Sequence, residues 1–135
     1  MLAVDASVVV ELSLDRVGEK TSASLGDGEL VAPPLLWSEV PSALSEMAFR
    51  EEVSRGLAES ALRRFIEGAI SVDEQRPEGL ALEAWRLAAE FGWAKTYDAE
   101  YLALARLLGC RLVTLDVRLR RGADRLGFVV TPNEL

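Results

Sequence analysis

The chain has 135 residues, half of them hydrophobic, a net charge of −7, no histidine and a single cysteine, Cys110. This composition suits one compact domain over residues 1–135, and it excludes a histidine general base, a Ser-His-Asp triad, histidine-ligated zinc and an intrachain disulfide. Carboxylates and hard metal ions are the equipment left to an enzyme without an organic cofactor. No apolar run approaches the roughly 20 residues of a membrane span, and no basic leader precedes the first apolar run, so a cytoplasmic protein is expected.

In chain order, Leu2-Ala3-Val4 reads as a buried strand running into Asp5, with a helix from Ser7 to Leu14. A second helix covers Glu19 to Leu25 and stops at Gly26 and Gly28. Leu30-Val31-Ala32 is a second strand, broken by Pro33-Pro34. Leu36 to Phe49 reads as a helix in which Pro41 is tolerable only near the first turn. Leu57 to Ala69 is another, with Ala58, Ala61, Leu62, Phe65 and Ile66 on one side at helical spacing.

Ile70-Ser71-Val72 is the candidate third strand. Leu80 to Phe91 and Ala99 to Leu108 are the clearest helices, followed by a strand over Arg111 to Leu115, a helix over Val117 to Leu126 and a last strand at Phe128-Val129-Val130. Trp37 and Trp85 are expected in the core, and Cys110, beside Leu112-Val113, as a buried structural thiol. Strands alternating with helices place the chain in the α/β class, as one domain with a central parallel sheet of four to five short strands flanked by helices on both faces. Ligands of such sheets bind beyond the carboxyl ends of the strands. Asp5 and Asp116 each follow an apolar strand and precede a helix, so both belong at that edge.

Four acids stand in apolar settings, where an ionised carboxylate is costly without compensation: Asp5 in Val4-Asp5-Ala6-Ser7, Glu39 in Trp37-Ser38-Glu39-Val40, Asp98 in Tyr97-Asp98-Ala99-Glu100-Tyr101, and Asp116 after Leu112-Val113-Thr114-Leu115. Helix capping is the competing explanation for Asp5, Asp98 and Asp116 taken singly, and a residue can serve as both cap and ligand. Glu39 fits a cap poorly, because it falls inside the first turn. Carboxylates gathered at one edge repel unless a cation lies between them, and oxygen-only donors suit Mg²⁺ or Mn²⁺. Glu100 reads as an exposed helix charge.

In this order and these settings the four acids resemble the acidic quartet of PIN domains, and most closely the VapC-type toxins of toxin–antitoxin pairs. The resemblance runs through essentially the whole chain. It implies an endoribonuclease in which one or two Mg²⁺ or Mn²⁺ ions activate water for RNA cleavage, leaving 5′-phosphate and 3′-hydroxyl ends. Carried over by position, Asp5, Asp98 and Asp116 are metal ligands, and Glu39 is a ligand directly or through water. Ser7 and Thr114 match the small hydroxyl residues that accompany the first and fourth acids, a supporting role, although Ser7 equally suits a local bond to backbone. Val40-Pro41 departs from the polar residue many relatives carry after the second acid, which bears on substrate contacts rather than on the metal.

The resemblance further implies a homodimer and a small cognate antitoxin that crosses the acidic groove. From Arg106 to Arg125 six arginines face only Asp116 and Asp124. Of these Arg118, Arg120 and Arg121 are candidates for RNA backbone contacts, with a solvated helix face as the alternative. Two rival readings are a PIN-like scaffold without turnover, against which the complete quartet speaks, and an aspartate-based phosphatase or receiver. The phosphatase lacks its second aspartate, since Ser7 stands in that place, and a receiver has only Val72-Asp73 for its central phospho-acceptor.

Overall fold

The computed structural model describes residues 1–26 and 28–135. Its elements in chain order are β1 (Leu2–Val4), α1 (Ala6–Ser13), α2 (Glu19–Gly26), β2 (Leu30–Ala32), α3 (Leu36–Phe49), α4 (Arg55–Ile66), β3 (Asp73–Glu74), α5 (Leu80–Phe91), α6 (Tyr97–Leu108), β4 (Arg111–Val113), α7 (Val117–Gly122) and β5 (Val129–Val130). Short 3₁₀ turns at Asp124–Leu126 and Pro132–Glu134 complete the chain. All strand pairs are parallel and the sheet order is β3-β2-β1-β4-β5. The α/β class, with a five-stranded parallel sheet among helices, is as the alternation of elements implies.

The sheet order locates the functional edge. From β1 the chain steps outward to β2 and β3, then returns through α5 and α6 to the other side of β1, where β4 and β5 are added. Winding reverses between β1 and β4, and a ligand crevice opens at such a point, beyond the carboxyl ends of the two strands. Parallel crossovers are right-handed, so helices laid down before and after the reversal cover opposite faces. Accordingly α1 packs on α3 and α3 on α4, while α5 packs on α6, which lies against β1 and β4. Ala3, Val4, Val31, Ala32, Leu112 and Val113 have no solvent exposure, as strands buried on both faces require.

Several boundaries differ from the sequence reading, each for a local reason. The third strand is not Ile70-Ser71-Val72 but the exposed pair Asp73–Glu74, aligned with Val31 and Ala32. Ile70 and Val72 are half-buried, and Val72 packs on the core, but the ladder itself is made by backbone on an edge where side chains face water. Helix α4 begins earlier because Ser54 caps it, its Oγ accepting the Leu57 N–H at 3.1 Å, and its end is closed by Gly68 at φ 79°. Ile66 is left 69 % exposed, outside the apolar side formed by Ala58, Ala61 and Phe65.

The helix expected from Val117 to Leu126 ends at Gly122 and continues as a 3₁₀ turn. Pro41 lies deeper in α3 than a first turn, so the Trp37 carbonyl lacks its usual helical donor. Trp85 is not in the core but 64 % exposed, one position round α5 from buried Ala84, and Trp37 lies at the surface against Phe65, ring centroids 5.9 Å apart. Cys110 is half-buried rather than enclosed.

Candidate active site

Asp5 is the most enclosed charge of the site, 5 % exposed at the end of β1. Its Oδ1 accepts the Ser7 hydroxyl at 2.5 Å and the Val8 N–H at 3.2 Å, so it also caps α1. Its Oδ2 accepts the Thr114 hydroxyl. Ser7 Oγ in turn accepts the Leu115 N–H at 2.9 Å, and Thr114 Oγ1 the Asp116 N–H at 3.0 Å. Each hydroxyl therefore gives its single proton to Asp5 while its lone pairs receive backbone from the turn after β4. The two strand ends are tied together through one carboxylate.

A carboxylate has about four lone-pair directions, and three are taken, so roughly one is left unengaged by the protein. Burial pushes the Asp5 carboxyl up to about 6, against the lowering effect of the Ser7, Thr114 and Val8 bonds, and the nearby charge of Asp116 adds to the rise. Asp116 begins α7, its Oδ1 accepting the N–H groups of Arg118 and Leu119 at 2.9 and 3.3 Å. Capping and proximity to the other acids thus coexist at Asp5 and Asp116. Asp98 is different: Thr96 occupies the cap position, and Asp98 lies in the first turn of α6, exposed at the rim. Its carboxyl is held above the ordinary value by the surrounding protein and by Asp116, with Arg118 opposing.

Glu39, in the first turn of α3, is half-buried, and its carboxyl is raised by burial and by the charges of Asp98 and Glu100, while the Tyr101 hydroxyl lowers it. The structure brings the quartet together in a chain of mutual repulsion, Asp5 to Asp116 to Asp98 to Glu39. Among the described residues no three acids close into a finished cation cage. They are coupled pair by pair instead. Glu100 is not the free helix charge expected: it is half-buried, raised by burial, and its charge reaches both Glu39 and Tyr101.

Tyr101 was not singled out by sequence. Its ring is 1 % exposed, and its hydroxyl is buried without a partner of proper hydrogen-bond geometry, although it faces Glu39 closely enough to affect that carboxyl. Burial first, then Glu39, Asp5 and Glu100, hold the phenol far above its usual value. A tyrosine three residues after Asp98 falls on the same side of a helix, and a buried phenol needs a partner; those were the available signals. The donor set suits a divalent cation on these grounds: oxygen ligands only, one free direction on Asp5, crowded acids whose charge nothing local offsets fully, and an orphaned hydroxyl beside them.

Of the three candidate arginines, Arg118 stands beside the acids, its guanidinium 3.8 Å from Asp116 and its side chain 93 % exposed. Arg120 is engaged elsewhere, pairing with Asp124 at 2.6 Å and with Glu134 at 2.8 and 3.0 Å, which pins the C-terminal turn. Arg121 lies with Arg120, Asp124 and Glu134 on a shallow recess away from the quartet. Two hollows adjoin the acids: one of about 540 Å³ touches Glu39 and Asp98, and one of about 200 Å³ touches Asp98 and Asp116. No helix among the described residues is long and apolar enough to cross a membrane.

Comparison with known proteins identifies the family. Residues 2–125 match the family model described as PIN domain. The chain is 32 % identical over 119 residues to a protein named VapC ribonuclease Mb0985 from Mycobacterium bovis and to one named Ribonuclease VapC9 from Mycobacterium tuberculosis, in each case covering 88 % of both chains. Among solved structures, PAE2754 from Pyrobaculum aerophilum superposes with a TM-score of 0.69 at 25 % identity, over 98 % of this chain and 90 % of that one. A toxin–antitoxin complex from Klebsiella pneumoniae gives the same TM-score at 17 % identity, over 98 % of both chains, and shares the fold. The chain belongs to the PIN-domain family and, within it, to the VapC-type proteins.

Proposed function

We propose that this protein is an endoribonuclease of VapC type, the toxin of a toxin–antitoxin pair. It hydrolyses RNA phosphodiester bonds with Mg²⁺ or Mn²⁺ held by Asp5, Glu39, Asp98 and Asp116. The observation that carries the reading is the buried Asp5 carboxylate, clamped by two hydroxyls after β1 and linked by charge repulsion through Asp116 and Asp98 to Glu39. The names of the relatives supply RNA as substrate and an antitoxin as partner.

When bound, the divalent ion acidifies water and offsets the negative charge that builds on phosphorus. The protein's own residues do the rest. Ser7 and Thr114 hold the Asp5 carboxylate in one orientation and commit their protons to it. Asp116 is fixed by two backbone N–H groups, and Asp98, exposed at the rim, would complete the carboxylate set that holds the ion. Tyr101 buries its hydroxyl beside Glu39 and lowers that carboxyl. Arg118 supplies positive charge beside a site that otherwise repels a polyanion. Attack of water oxygen on phosphorus breaks the bond to the 3′ oxygen and leaves a 5′-phosphate and a 3′-hydroxyl.

The test is cleavage of total RNA and of defined oligoribonucleotides by wild type and Asp98→Asn, in Mg²⁺, in Mn²⁺ and in EDTA, with end-group mapping. Cleavage that persists in EDTA, survives Asp98→Asn, or leaves 2′,3′-cyclic phosphate overturns the mechanism. A protein with no Mn²⁺ binding sensitive to Asp98→Asn in calorimetry is instead a PIN-like scaffold.

A further inference from the structure

The two hollows beside the quartet share two residues, Trp93 and Asp98. The larger contains Glu39, Lys95 and Tyr97, the smaller Asp116, Arg118 and Gly122. An indole therefore stands as the partition between two recesses that both reach catalytic carboxylates. Each recess carries one cation at its wall, Lys95 in the first and Arg118 in the second. Lys95 is exposed and makes no ion pair among the described residues.

The indole is braced rather than loose. Gly92 ends α5 in the left-handed region, at φ 72°, which turns the chain so that the Trp93 N–H donates to the Ala88 carbonyl at 2.8 Å. The Trp93 ring stacks on Phe91 with centroids 4.8 Å apart and planes 19° from parallel, and the Arg125 guanidinium covers that phenyl 4.2 Å from its centroid. At its edge Trp93 meets the end of α7, where a methyl group on Gly122 would lie 3.8 Å from Cζ2. Beside it Tyr97 is 52 % exposed, one residue before Asp98. A rigid, half-open indole with a neighbouring exposed phenol and a free ammonium is more than fold maintenance requires. Aromatic faces of this kind take nucleobases by stacking, with a cation tracking the phosphate.

We propose that the Trp93–Tyr97 recess is a nucleobase subsite: it stacks the base of one unpaired nucleotide adjoining the scissile phosphate, with Lys95 on the neighbouring phosphate. The inference rests on the ribonuclease reading above. It makes the enzyme select substrates in which that nucleotide can leave its helix, because a stacked and paired base cannot enter the recess.

The experiment uses an oligoribonucleotide that the wild type cuts, together with versions carrying a single abasic residue at each position around the cut. Base stacking lost from such a platform corresponds to roughly 5- to 150-fold in kcat/KM. The expected result is one abasic position with a penalty in that range for wild type, and a comparable loss on the intact substrate for Trp93→Ala and Tyr97→Ala. In those variants the abasic penalty disappears, since the platform it reports on is gone. Trp93→Phe keeps most of the effect, and Tyr97→Ala, at an exposed position, separates loss of stacking from loss of fold. Penalties that are absent at every position, or the same in wild type and both alanine variants, overturn the inference while leaving the ribonuclease reading intact. A wild type that cuts no RNA overturns both.

Discussion

Replacing Asp5 by asparagine should remove the proposed activity, and it also tests whether the site calls for a cation. The Asp5 carboxyl is raised in the folded chain from 3.8 to about 6, chiefly by burial. Its proton is therefore bound more tightly folded than unfolded, so stability falls as pH rises wherever the folded state holds the extra proton. The stability is fully present below about pH 4, is lost between about pH 4 and 6, and is absent above. At ~1.4 kcal/mol per unit the loss from this one group is about 3 kcal/mol, a large part of the margin of a small domain. Burial also raises Glu39, Asp98 and Glu100, so they steepen the fall rather than oppose it.

Urea unfolding of protein freed of divalent ions, at pH values from 4 to 8, reads the effect directly. Wild type should lose stability across that window, and Mg²⁺ or Mn²⁺ should restore it above pH 6 by binding only the folded, ionised site. Asp5→Asn should flatten the slope and, at pH 7.5, be more stable than ion-free wild type by about 1–3 kcal/mol, since an amide pays no ionic burial cost. Its stability should no longer respond to Mg²⁺ in the same way. Ion-free wild type whose stability is constant or rises from pH 4 to 7 would refute the reasoning.

Thr114→Val removes a hydroxyl that donates to Asp5 and accepts from the Asp116 N–H; a cost of about 1–3 kcal/mol is expected in denaturant unfolding. Because that bond lowers the Asp5 carboxyl, the acid limb of the pH–rate profile should also move to higher pH, and an unmoved limb argues against Asp5 in the reaction. Tyr101→Phe should leave ion-free stability unchanged or slightly higher, as the deleted hydroxyl has no partner, yet weaken Mn²⁺ binding in calorimetry. Lost stability with unchanged Mn²⁺ affinity would make the phenol purely structural. For RNA binding, Arg118→Ala should reduce the slope of log affinity on log salt by roughly 1. Arg120→Ala should leave the slope alone and instead lower the thermal midpoint by freeing the Pro132–Glu134 turn.

What could be read in sequence follows from which forces leave a mark on residue type. Strands buried on both faces must be apolar, so Leu2-Ala3-Val4 and Leu112-Val113 announce themselves, and an acid immediately after such a strand is placed at the sheet edge with it. Strand β3 carries no such mark, because its ladder with Val31 and Ala32 is backbone and its side chains, Asp73 and Glu74, face water. Aromatic residues mislead in the opposite direction. Trp85 and Tyr101 look equally fit for a core, yet one lies on the outer face of α5 while the other buries its hydroxyl against the acids.

Arg120 looks like a phosphate contact until the C-terminal turn brings Glu134 to it, a pairing that local pattern cannot express. The same limit governs the site as a whole. Nothing in the neighbourhood of Asp5 or Asp116 states that β4 lies beside β1 rather than beyond β3, and a different strand order would leave the two aspartates too far apart to repel. Hydrogen bonds from Ser7 and Thr114 to one carboxylate exist only because that order is the one adopted. The acids are therefore local features, but the site they make is a property of topology, and the cost of assembling it falls on Asp5, the one acid the sheet cannot leave in water.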